Sequence, residues 1–542
     1  MKFSTAACTI VVLFLVSANV HATLEEQLRL ITEHLVLDGE GNLPSGGIVY
    51  QPAIIEEFYS ESNYQPLWKD REQAVRVLDI LAEAEQDGLN PEDYHYSTLR
   101  KILDTDKAAW ADENRVRAVF DALLSDAVIL YIRHMSQGKV DPQEMDPSFN
   151  YSRLTFEPKR VSMALREAVA EDRIDQIMED ARPTQKFYAQ MRSTLASYRD
   201  IAARETFTAI PDDVVLKPGQ SHNHVIPLRK RLVESGYLDK ENASPTFDPV
   251  LEDAVRKFQK DNGLDIDGVV GQQSYALLNM SWSDRIDSLR VNMDRLRWIS
   301  RDITDNFIVV NIAGFELYYM RDNSLVWETP VMVGTIQHQT PIFTKRLKYL
   351  EFNPTWTVPR SIIRRSLFPK FRADPQYVLD NNYQLIDRKG QVADPLTIDW
   401  SAYNGSNFPY GVVQQPGENN ALGRVKFIFP NKHAIYLHDT PSRSLFSRSS
   451  RAFSSGCVRV KHPLQFAEIL LDDSENWSLE QVRDLVASGK PQERIHLSQD
   501  VDVMLMYWTT SPTADGGIQF HQDIYNKDLN TLEALNSPPP FY

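Results

Sequence analysis

The chain has 542 residues but only two cysteines, Cys8 and Cys457. Cys8 lies within residues 1–22, which have the order of a secretory signal, so an exported chain would keep Cys457 alone. A single thiol that survives export raises the question of what that thiol does.

The signal prediction depends on three features of the first 22 residues. Lys2 supplies a positive n-region, residues 6–16 form an 11-residue apolar run, and Val20-His21-Ala22 ends in a small-x-small cleavage pattern. A longer apolar run is lacking here, whereas a membrane-spanning helix needs roughly 20 residues. We therefore predict a cleaved signal over 1–22, with retention as an uncleaved anchor as the alternative.

Basic residues are also too few to balance the acidic ones. The chain has 58 Lys and Arg against 74 Asp and Glu, a net charge of −16, which becomes −17 when Lys2 leaves with the signal. This balance disfavours nucleic acid and anionic membranes as partners. With 42% hydrophobic and 24% charged residues, the chain is typical of a soluble globular protein. Its length is enough for about three domains.

Helical periodicity dominates residues 23–210. Apolar residues recur at spacings of three and four from Val116 to Tyr131, which predicts one long amphipathic helix. Val75 begins another helix, which we expect to end around Asp87-Gly88-Leu89-Asn90-Pro91. We interpret 23–210 as a helical scaffold domain.

Residues 211–280 predict three short helices joined by glycine-rich turns. They contain Phe258-Gln259, Gly263-Leu264, Asp267-Gly268 and Gly271. This spacing resembles the string F-Q-x-x-x-G-L-x-x-D-G-x-x-G of the peptidoglycan-binding domain family. The resemblance implies a small wall-binding module over 211–280, while a three-helix bundle without a ligand is the alternative.

We place a linker helix within 281–303. After it, the spacing of the apolar residues changes from that of helices to that of strands. Residues 307–312, 315–320 and 325–333 predict an antiparallel meander, and strand signals return at 425–429, 434–438 and 501–508. Residues 359–424 have fewer strand signals, which indicates a lid or capping insertion. We predict a mainly β domain over 304–530 and a C-terminal tail over 531–542.

The surroundings of Cys457 could activate a thiol. A free thiol is only about 3% ionised at pH 7, so a nucleophilic cysteine needs a base or a positive field. His438 ends a predicted strand and Arg459 lies two residues beyond the cysteine. The N–H groups of Gly456 and Cys457 could form an oxyanion hole. A lone cysteine is also commonly a small buried apolar residue, and His433 and His462 are rival bases.

The string H-D-T, a loop and then S-S-G-C-V-R resembles the L,D-transpeptidase (YkuD-type) family. The resemblance runs from Phe307, through Val331-Met332-Val333-Gly334 and Thr340-Pro341, to the C-terminal strands. With the scaffold and the module, the chain is similar to the long Gram-negative members. The implied fold class is a multidomain α+β protein with a mainly β catalytic domain.

The resemblance also implies residue roles. Cys457 would be the nucleophile and His438 the base, with the main-chain carbonyl of Asp439 orienting the imidazole and Gly456 in the catalytic turn. The expected substrate-binding residues are Arg459, Ser455, Tyr436 and Trp356. Two positions depart from the family pattern: Ser455 replaces a histidine and Asp439 replaces a glycine. The Asp439 carboxylate could pair with Arg459 or Arg451.

The function implied is formation of 3-3 cross-links in peptidoglycan through a cysteine thioester. Tetrapeptide stems would be donor and acceptor, carbapenems would be inhibitors, and the protein would be periplasmic and wall-associated, with other cell-wall synthesis enzymes as further partners. L,D-carboxypeptidase activity, attachment of lipoproteins to peptidoglycan and an inert wall-binding scaffold protein are the alternatives.

Other hydrolase and transferase classes lack their motifs, and we predict no metal and no cofactor. A zinc amidase would need H-E-x-x-H or a similar cluster. A papain-like protease has its cysteine before its histidine. Ser136-Gln137-Gly138-Lys139 fits the S-x-x-K of serine D,D-transpeptidases, but K-T-G is missing.

Overall fold

The computed structural model describes residues 22–44, 47–104, 114–151, 153–204, 207–240, 242–322, 324–471, 477–513 and 516–542. The predicted signal and Cys8 therefore lie outside the described residues, apart from Ala22. Among the residues described, none of the helices combines the length and the apolar character that crossing a membrane requires.

The N-terminal part of the chain is helical, as expected. Its helices are Leu24–Asp38, Pro52–Glu61, Arg71–Ala82, Tyr96–Asp104, Asn114–Gln137, Pro142–Met145, Pro158–Ala170, Ile174–Asp180 and Lys186–Ala202. The helix Asn114–Gln137 is buried on nearly every side from Ala118 onward. The expected single apolar stripe is therefore wrong for this helix, because neighbouring helices cover its polar face as well and pair its buried polar groups. Asp121, for example, accepts hydrogen bonds from the Tyr59 hydroxyl and from the Leu67 and Trp68 amides.

The small module contains the three predicted helices, Val225–Glu234, Pro249–Asp261 and Gln272–Leu278. Its sequence signature has a structural reason. The Gln259 amide nitrogen donates to Asp267 Oδ1 at 2.9 Å and to the Val269 carbonyl at 3.0 Å, and its Oε1 accepts from the Gly268 N–H at 2.8 Å. Gly268 has φ +74°, which favours glycine. These residues fix the turn between the second and third helices.

The expected linker helix is Trp282–Arg297, and it is a buried central element. It packs against the helix Lys186–Ala202 and against the C-terminal helix Asp528–Asn536. Asn292 exchanges two hydrogen bonds with Thr509, one donated by Nδ2 to Oγ1 at 2.8 Å and one accepted from the Thr509 N–H at 2.9 Å. The helix therefore joins the helical region to the β-rich domain through a packed interface.

The β-rich domain is built on a nine-stranded sheet of order β11-β3-β12-β10-β9-β4-β13-β1-β2. The additional pairing of β2 with β3 closes eight of these strands into a ring. The meander β1-β2-β3 is antiparallel, as predicted, whereas β1–β13, β10–β12 and β11–β3 are parallel pairs. The strands of this sheet are β1 Asn306–Asn311, β2 Glu316–Arg321, β3 Ser324–Gly334, β4 Phe343–Phe352, β9 Val425–Ile428, β10 Leu437–His438, β11 Ala452–Ser454, β12 Val458–Val460 and β13 Glu493–Met506.

The insertion predicted over 359–424 has a hydrophobic core of its own and a four-stranded sheet, β5-β8-β6-β7. The subdomain begins before the predicted boundary, at β5 Trp356–Thr357. Its other elements are β6 Tyr383–Ile386, β7 Val392–Ala393, β8 Gly411–Gln414 and the helices Arg360–Ile362, Phe368–Ala373 and Gln376–Asp380. Trp400 and Phe408 stack at a ring-centroid distance of 5.4 Å inside this core. The segment is a packed subdomain, and its strands are too short to give strong sequence signals.

The C-terminal residues pack on the helical region. Lys139, the last residue of the S-x-x-K string, donates from Nζ to Asp93 Oδ2 at 2.7 Å and to the carbonyls of Leu535 and Ser537 at 2.9 and 2.6 Å. The S-x-x-K lysine therefore has a structural role. The segment 531–542, expected to be a tail, begins inside the helix Asp528–Asn536. The remaining elements are the helices Pro463–Leu471 and Leu479–Ala487 and the hairpin β14 Thr510–Pro512 with β15 Ile518–Phe520.

Candidate active site

Cys457 lies directly after a tight turn that connects β11 to β12. Gly456 has φ +114°, a conformation that side-chain-bearing residues rarely adopt, and a Cβ there would press against the Ile435 side chain at 3.2 Å. The Gly456 N–H donates to Ser454 Oγ at 3.0 Å. This N–H is therefore engaged within the turn, and its part in an oxyanion hole stays a prediction. Gly456 shapes the turn that presents the thiol.

Thr340 connects this turn to the adjoining strand end. Its hydroxyl donates to the Gly456 carbonyl at 2.8 Å and accepts from the Gly334 N–H at 2.9 Å. The Tyr525 hydroxyl donates to the Gly334 carbonyl at 2.6 Å. The residues Gly334 and Thr340 thus hold the cysteine turn in place. Tyr525 was missed by sequence reasoning because it lies almost 70 residues beyond the cysteine, with no local pattern around it.

His438 is placed beside the cysteine strand by register. In the parallel pair β10–β12 its Cα partner is Arg459, two residues beyond Cys457. Side chains alternate along a strand, so Tyr436 and His438 share one face with Cys457 and Arg459. The Tyr436 and His438 rings meet at a centroid distance of 5.6 Å. Four of the predicted site residues are brought together in this way.

The imidazole of His438 is held by the main chain. It is 4% exposed, and its Nδ1 lies 2.5 Å from the carbonyl oxygen of Asp439. A carbonyl can only accept, so Nδ1 carries the proton and donates, which leaves the lone pair on Nε2. Burial, with the nearby charges of Arg459 and Lys426, lowers the pKa of His438 to about 3. The imidazole is therefore neutral at physiological pH.

The thiol of Cys457 is half-buried and in contact with Tyr436. Burial raises the pKa of Cys457, while hydrogen bonds from the Tyr436 main chain and hydroxyl, and the charges of Lys426 and Arg459, act in the opposite direction. The effect of burial on the pKa is the larger one, so the resting site is a neutral thiol beside a neutral imidazole. In the described part of the chain, no hydrogen bond joins Cys457 and His438. The Cys457 thiol instead donates to the Ala434 carbonyl at 3.7 Å.

Arg459 is a cation without an acidic partner among the described residues. Its Nε is buried and has no hydrogen-bond acceptor in that part of the chain. Burial lowers the pKa of Arg459, while the neighbouring Cys457 acts to raise it. A buried N–H without an acceptor is costly, so the Nε of Arg459 favours a ligand that brings a carboxylate or carbonyl oxygen.

The Asp439 carboxylate does not pair with Arg459 or Arg451, which corrects the expectation from the sequence. Its Oδ2 accepts a hydrogen bond from the Arg424 N–H at 2.9 Å and lies 3.7 Å from the exposed Arg443 guanidinium. Arg451 instead forms an ion pair with Glu316 at 2.9 Å. The carboxylate and the carbonyl of Asp439 thus have different partners, the Arg424 N–H and the His438 imidazole.

The remaining candidates lie around this centre. Ser455 is exposed in the cysteine turn. Trp356 is partly buried in β5 and packs against the core of the insertion, so its contact with substrate stays a prediction. His433 packs against Phe343 at a ring-centroid distance of 5.2 Å, and His462 lines a cavity of about 360 Å³ that Asp439 also lines. Neither rival histidine shares the β10–β12 face. In the described part of the chain, no group of three or more His, Cys, Asp or Glu side chains could hold a metal ion.

Lys426 is a site residue that sequence reasoning missed. It lies on β9 as the Cα partner of His438, and its Nζ lies 4.7 Å from the centroid of the Tyr436 ring. Only the strand register brings it to the thiol, since 31 residues separate it from Cys457 along the chain. Its alternation with the apolar residues Val425 and Phe427 was the available signal that it faces away from the core.

A β-rich domain that presents a thiol and a carbonyl-held imidazole on adjacent strands defines a cysteine–histidine site. Residues 305–484 match the L,D-transpeptidase catalytic domain family, YkuD. Residues 221–278 match the family described as "Putative peptidoglycan binding domain", and residues 53–195 match the scaffold domain family. By these matches, the chain contains a domain similar to the YkuD L,D-transpeptidase catalytic family, together with a peptidoglycan-binding domain match and a helical N-terminal region.

A curated protein of Haemophilus influenzae, described as "Putative L,D-transpeptidase", is 41% identical over 246 residues, which cover 45% of this chain and 49% of that protein. The chain thus spans about half the length of the curated relative it matches. A solved L,D-transpeptidase structure from Xylanimonas cellulosilytica has 15% identity and a TM-score of 0.19, covering 56% of this chain and all of that one. Another from Stackebrandtia nassauensis has 13% identity and a TM-score of 0.21, covering 56% of this chain and 97% of that one.

Proposed function

We propose that the chain is a periplasmic enzyme that forms 3-3 cross-links between peptidoglycan stems through a thioester on Cys457. The observation that carries this proposal is the shared face of β10 and β12, which carries Cys457, Tyr436 and His438 side by side. The predicted signal over 1–22 and the module support a location at the wall.

The residues present are sufficient for acyl transfer. The S–H proton of Cys457 passes to Nε2 of His438 as Sγ bonds to the carbonyl carbon at the L-centre of the third stem residue. The bond to the terminal D-Ala nitrogen then breaks, and the proton moves from His438 to that leaving amine. An acceptor amine attacks the thioester, the C–S bond breaks, and the amine proton returns the thiol to its resting form.

Charge on the sulfur is the costly step, because both resting groups are neutral. The Tyr436 hydroxyl and the cations Lys426 and Arg459 face the sulfur and oppose the cost of burying a thiolate. We propose that Arg459 binds a carboxylate of the donor stem. That contact would neutralise a charge that depresses the pKa of His438, and so make the imidazole a stronger base when substrate is bound.

The acceptor is proposed from architecture. The insertion is a packed subdomain joined to the catalytic sheet through β4 and β9, and a subdomain that covers the thioester would exclude water and favour an amine. Water as acceptor would make the enzyme a carboxypeptidase, and a lipoprotein lysine would make it an attachment enzyme.

We expect purified chain lacking 1–22 to convert disaccharide-tetrapeptide into a dimer joined between third residues, with loss of one D-Ala. Mass spectrometry with fragmentation distinguishes this dimer from its isomers and from monomeric tripeptide. Tripeptide alone would mean that water is the acceptor and that the cross-linking proposal is wrong. No product of either kind would support the inert scaffold.

The module contributes a second expected result. The Asn279 side chain bonds both the N–H and the carbonyl of Ile210, at 2.8 and 2.9 Å, so residues 211–278 can be deleted and the ends joined without stretching the chain. We expect the deletion to weaken binding to intact sacculi by about tenfold or more, because tethering raises the local concentration, and to leave turnover of soluble muropeptides within about threefold.

A control is needed because the module touches the loop before the cysteine. The Ser449 N–H donates to Asp265 Oδ1 at 2.8 Å, and its hydroxyl donates to Gln273 Oε1 at 3.2 Å. Ser449→Gly removes the hydroxyl contact while keeping the module, and sacculus co-sedimentation should then match the wild type. Equal sacculus binding by the deletion variant would assign the module a structural role.

A further inference from the structure

The strand register places four charged side chains and His438 in one row across the catalytic sheet. Adjacent Cα partners are Arg459 on β12, His438 on β10, Lys426 on β9, Glu351 on β4 and Arg494 on β13. We call these five residues the cross-strand row. Only Arg459 and His438 were predicted as site residues, and the family comparisons assign no role to the other three.

The centre of the row is a buried ion pair. The Glu351 side chain is 4% exposed, and its Oε1 lies 3.3 Å from the Lys426 ammonium, which is 15% exposed. Its Oε2 accepts from Arg494 Nε at 3.0 Å. A buried carboxylate must be paired, and here each oxygen has one cation. The two cations differ in position, because Arg494 is 54% exposed and packs over Tyr349, whereas the Lys426 ammonium lies over the Tyr436 ring.

Lys426 contacts the residue that contacts the sulfur. Its Nζ lies 4.7 Å from the centroid of the Tyr436 ring, a distance typical of a cation–π interaction. Tyr436 in turn lies across from Cys457, because the β10–β12 pairing continues to the Val458 N–H, which donates to the Tyr436 carbonyl at 3.1 Å. Glu351, Lys426, Tyr436 and Cys457 therefore follow one another across the strands from a buried carboxylate to the thiol.

We propose that Lys426 is a positioning residue: anchored by Glu351, it fixes the ring of Tyr436 against the Cys457 thiol and keeps a positive charge beside the sulfur. The proposal deepens the function proposed above and takes its catalytic meaning from it. A lysine suits this place because its flexible stem reaches the carboxylate and the ring together, and its ammonium is a compact charge.

The effect of Lys426 on the reactivity of the thiol can be measured because the other groups that face the thiol do not titrate near neutral pH. The groups that face the thiol are Tyr436 and His438 from β10 and its approach, Arg459 from β12 and Lys426 from β9. The pKa of Tyr436 lies well above its ordinary value because of burial, and that of His438 is about 3. Neither changes charge near neutral pH, so a pH profile of thiol reactivity there reports on Cys457.

The test is the pH dependence of iodoacetamide alkylation of Cys457, followed by intact mass between about pH 6 and pH 10. We expect Lys426→Met, which keeps length and removes charge, to shift the profile up by about one pH unit and to slow alkylation roughly tenfold at pH 7. Lys426→Arg should restore most of the reactivity. Turnover of disaccharide-tetrapeptide should fall in parallel and recover as pH rises.

Arg494→Met is the matched control, since it removes the other cation on Glu351, and Arg494 packs over Tyr349 and not over Tyr436. An unshifted profile for Lys426→Met would overturn the proposal. An equal shift for Arg494→Met would also overturn it, because the effect would then follow from losing either ion pair of Glu351. Thermal unfolding confirms that each variant is folded. A shifted profile in a protein that forms no dimer would uphold the role of Lys426 and refute the proposed cross-linking function.

Discussion

Cys457→Ala should lower turnover of tetrapeptide stems by at least roughly 10⁴-fold, because it removes the only nucleophile that can form the thioester. The fold should be unaffected. The side chain is half-buried at the end of a turn, and that turn is held by Gly456, Ser454 and Thr340 through bonds that do not involve sulfur. Mass-spectrometric assay of dimer and tripeptide, with a thermal unfolding curve, measures both effects.

A covalent probe separates a competent site from an inert one. A carbapenem should add one equivalent of mass to the chain lacking 1–22, with the adduct on Cys457, and none to Cys457→Ala. Since Cys457 is the single cysteine beyond Cys8, the adduct needs no competing thiol to be blocked. Turnover by Cys457→Ala at the wild-type rate would end the proposed mechanism. Alkylation of the thiol without any carbapenem adduct would show an accessible thiol in an incompetent site.

His438→Asn should lower turnover by about 10²–10⁴-fold, the usual size of a general-base contribution. Asparagine is the informative replacement because its amide N–H can still donate to the Asp439 carbonyl in place of Nδ1. What it lacks is the Nε2 lone pair, so the effect isolates proton transfer from the anchoring of the strand end. His433→Asn and His462→Asn are the controls, and a comparable loss in either would move the base to that histidine.

The same variant should change the response of stability to acid. His438 has a folded pKa of about 3, below its unfolded value of about 6.5, so the unfolded chain binds the proton more readily. Its contribution is fully present above about pH 6.5 and is lost as pH falls toward the folded pKa. Between about pH 7.5 and pH 4.5 the wild type should lose about 3 kcal/mol more unfolding free energy than His438→Asn. Urea unfolding at both values measures the difference, and equal losses would mean that the buried imidazole is not held neutral.

Local sequence patterns predicted which helices and strands form, but they did not predict what packs around each of them. The antiparallel meander, the three helices of the module and the helix near 116–131 were predicted from periodicity, which depends on neighbours in the sequence. The same periodicity could not show that the helix Asn114–Gln137 is buried nearly all round, or that the helix Trp282–Arg297 is a packed interface. Burial of a polar face depends on what covers it, and those partners lie up to hundreds of residues away.

The active-site predictions show the same difference between local features and features that depend on the tertiary structure. Cys457, His438 and Arg459 were found because they belong to a contiguous motif on two strand ends, and the structure places them on one face. The orientation of the imidazole by the Asp439 carbonyl is local as well. The use of the Gly456 N–H within its own turn depended on the exact backbone angle there, and spacing in the sequence does not specify it.

The sequence by itself determined the classes of the domains, the single cysteine beyond Cys8 and the histidine–cysteine order of the site, because composition, periodicity and short motifs are properties of neighbouring residues. Only the tertiary structure decided which charges surround the thiol. The register of β9 with β10 brings Lys426 beside His438, and the register of β4 with β9 brings Glu351 beside Lys426. A shift of one residue in either pairing would turn the side chain to the other face of the sheet. Register is fixed by packing across the whole sheet, and no segment of the sequence specifies it alone.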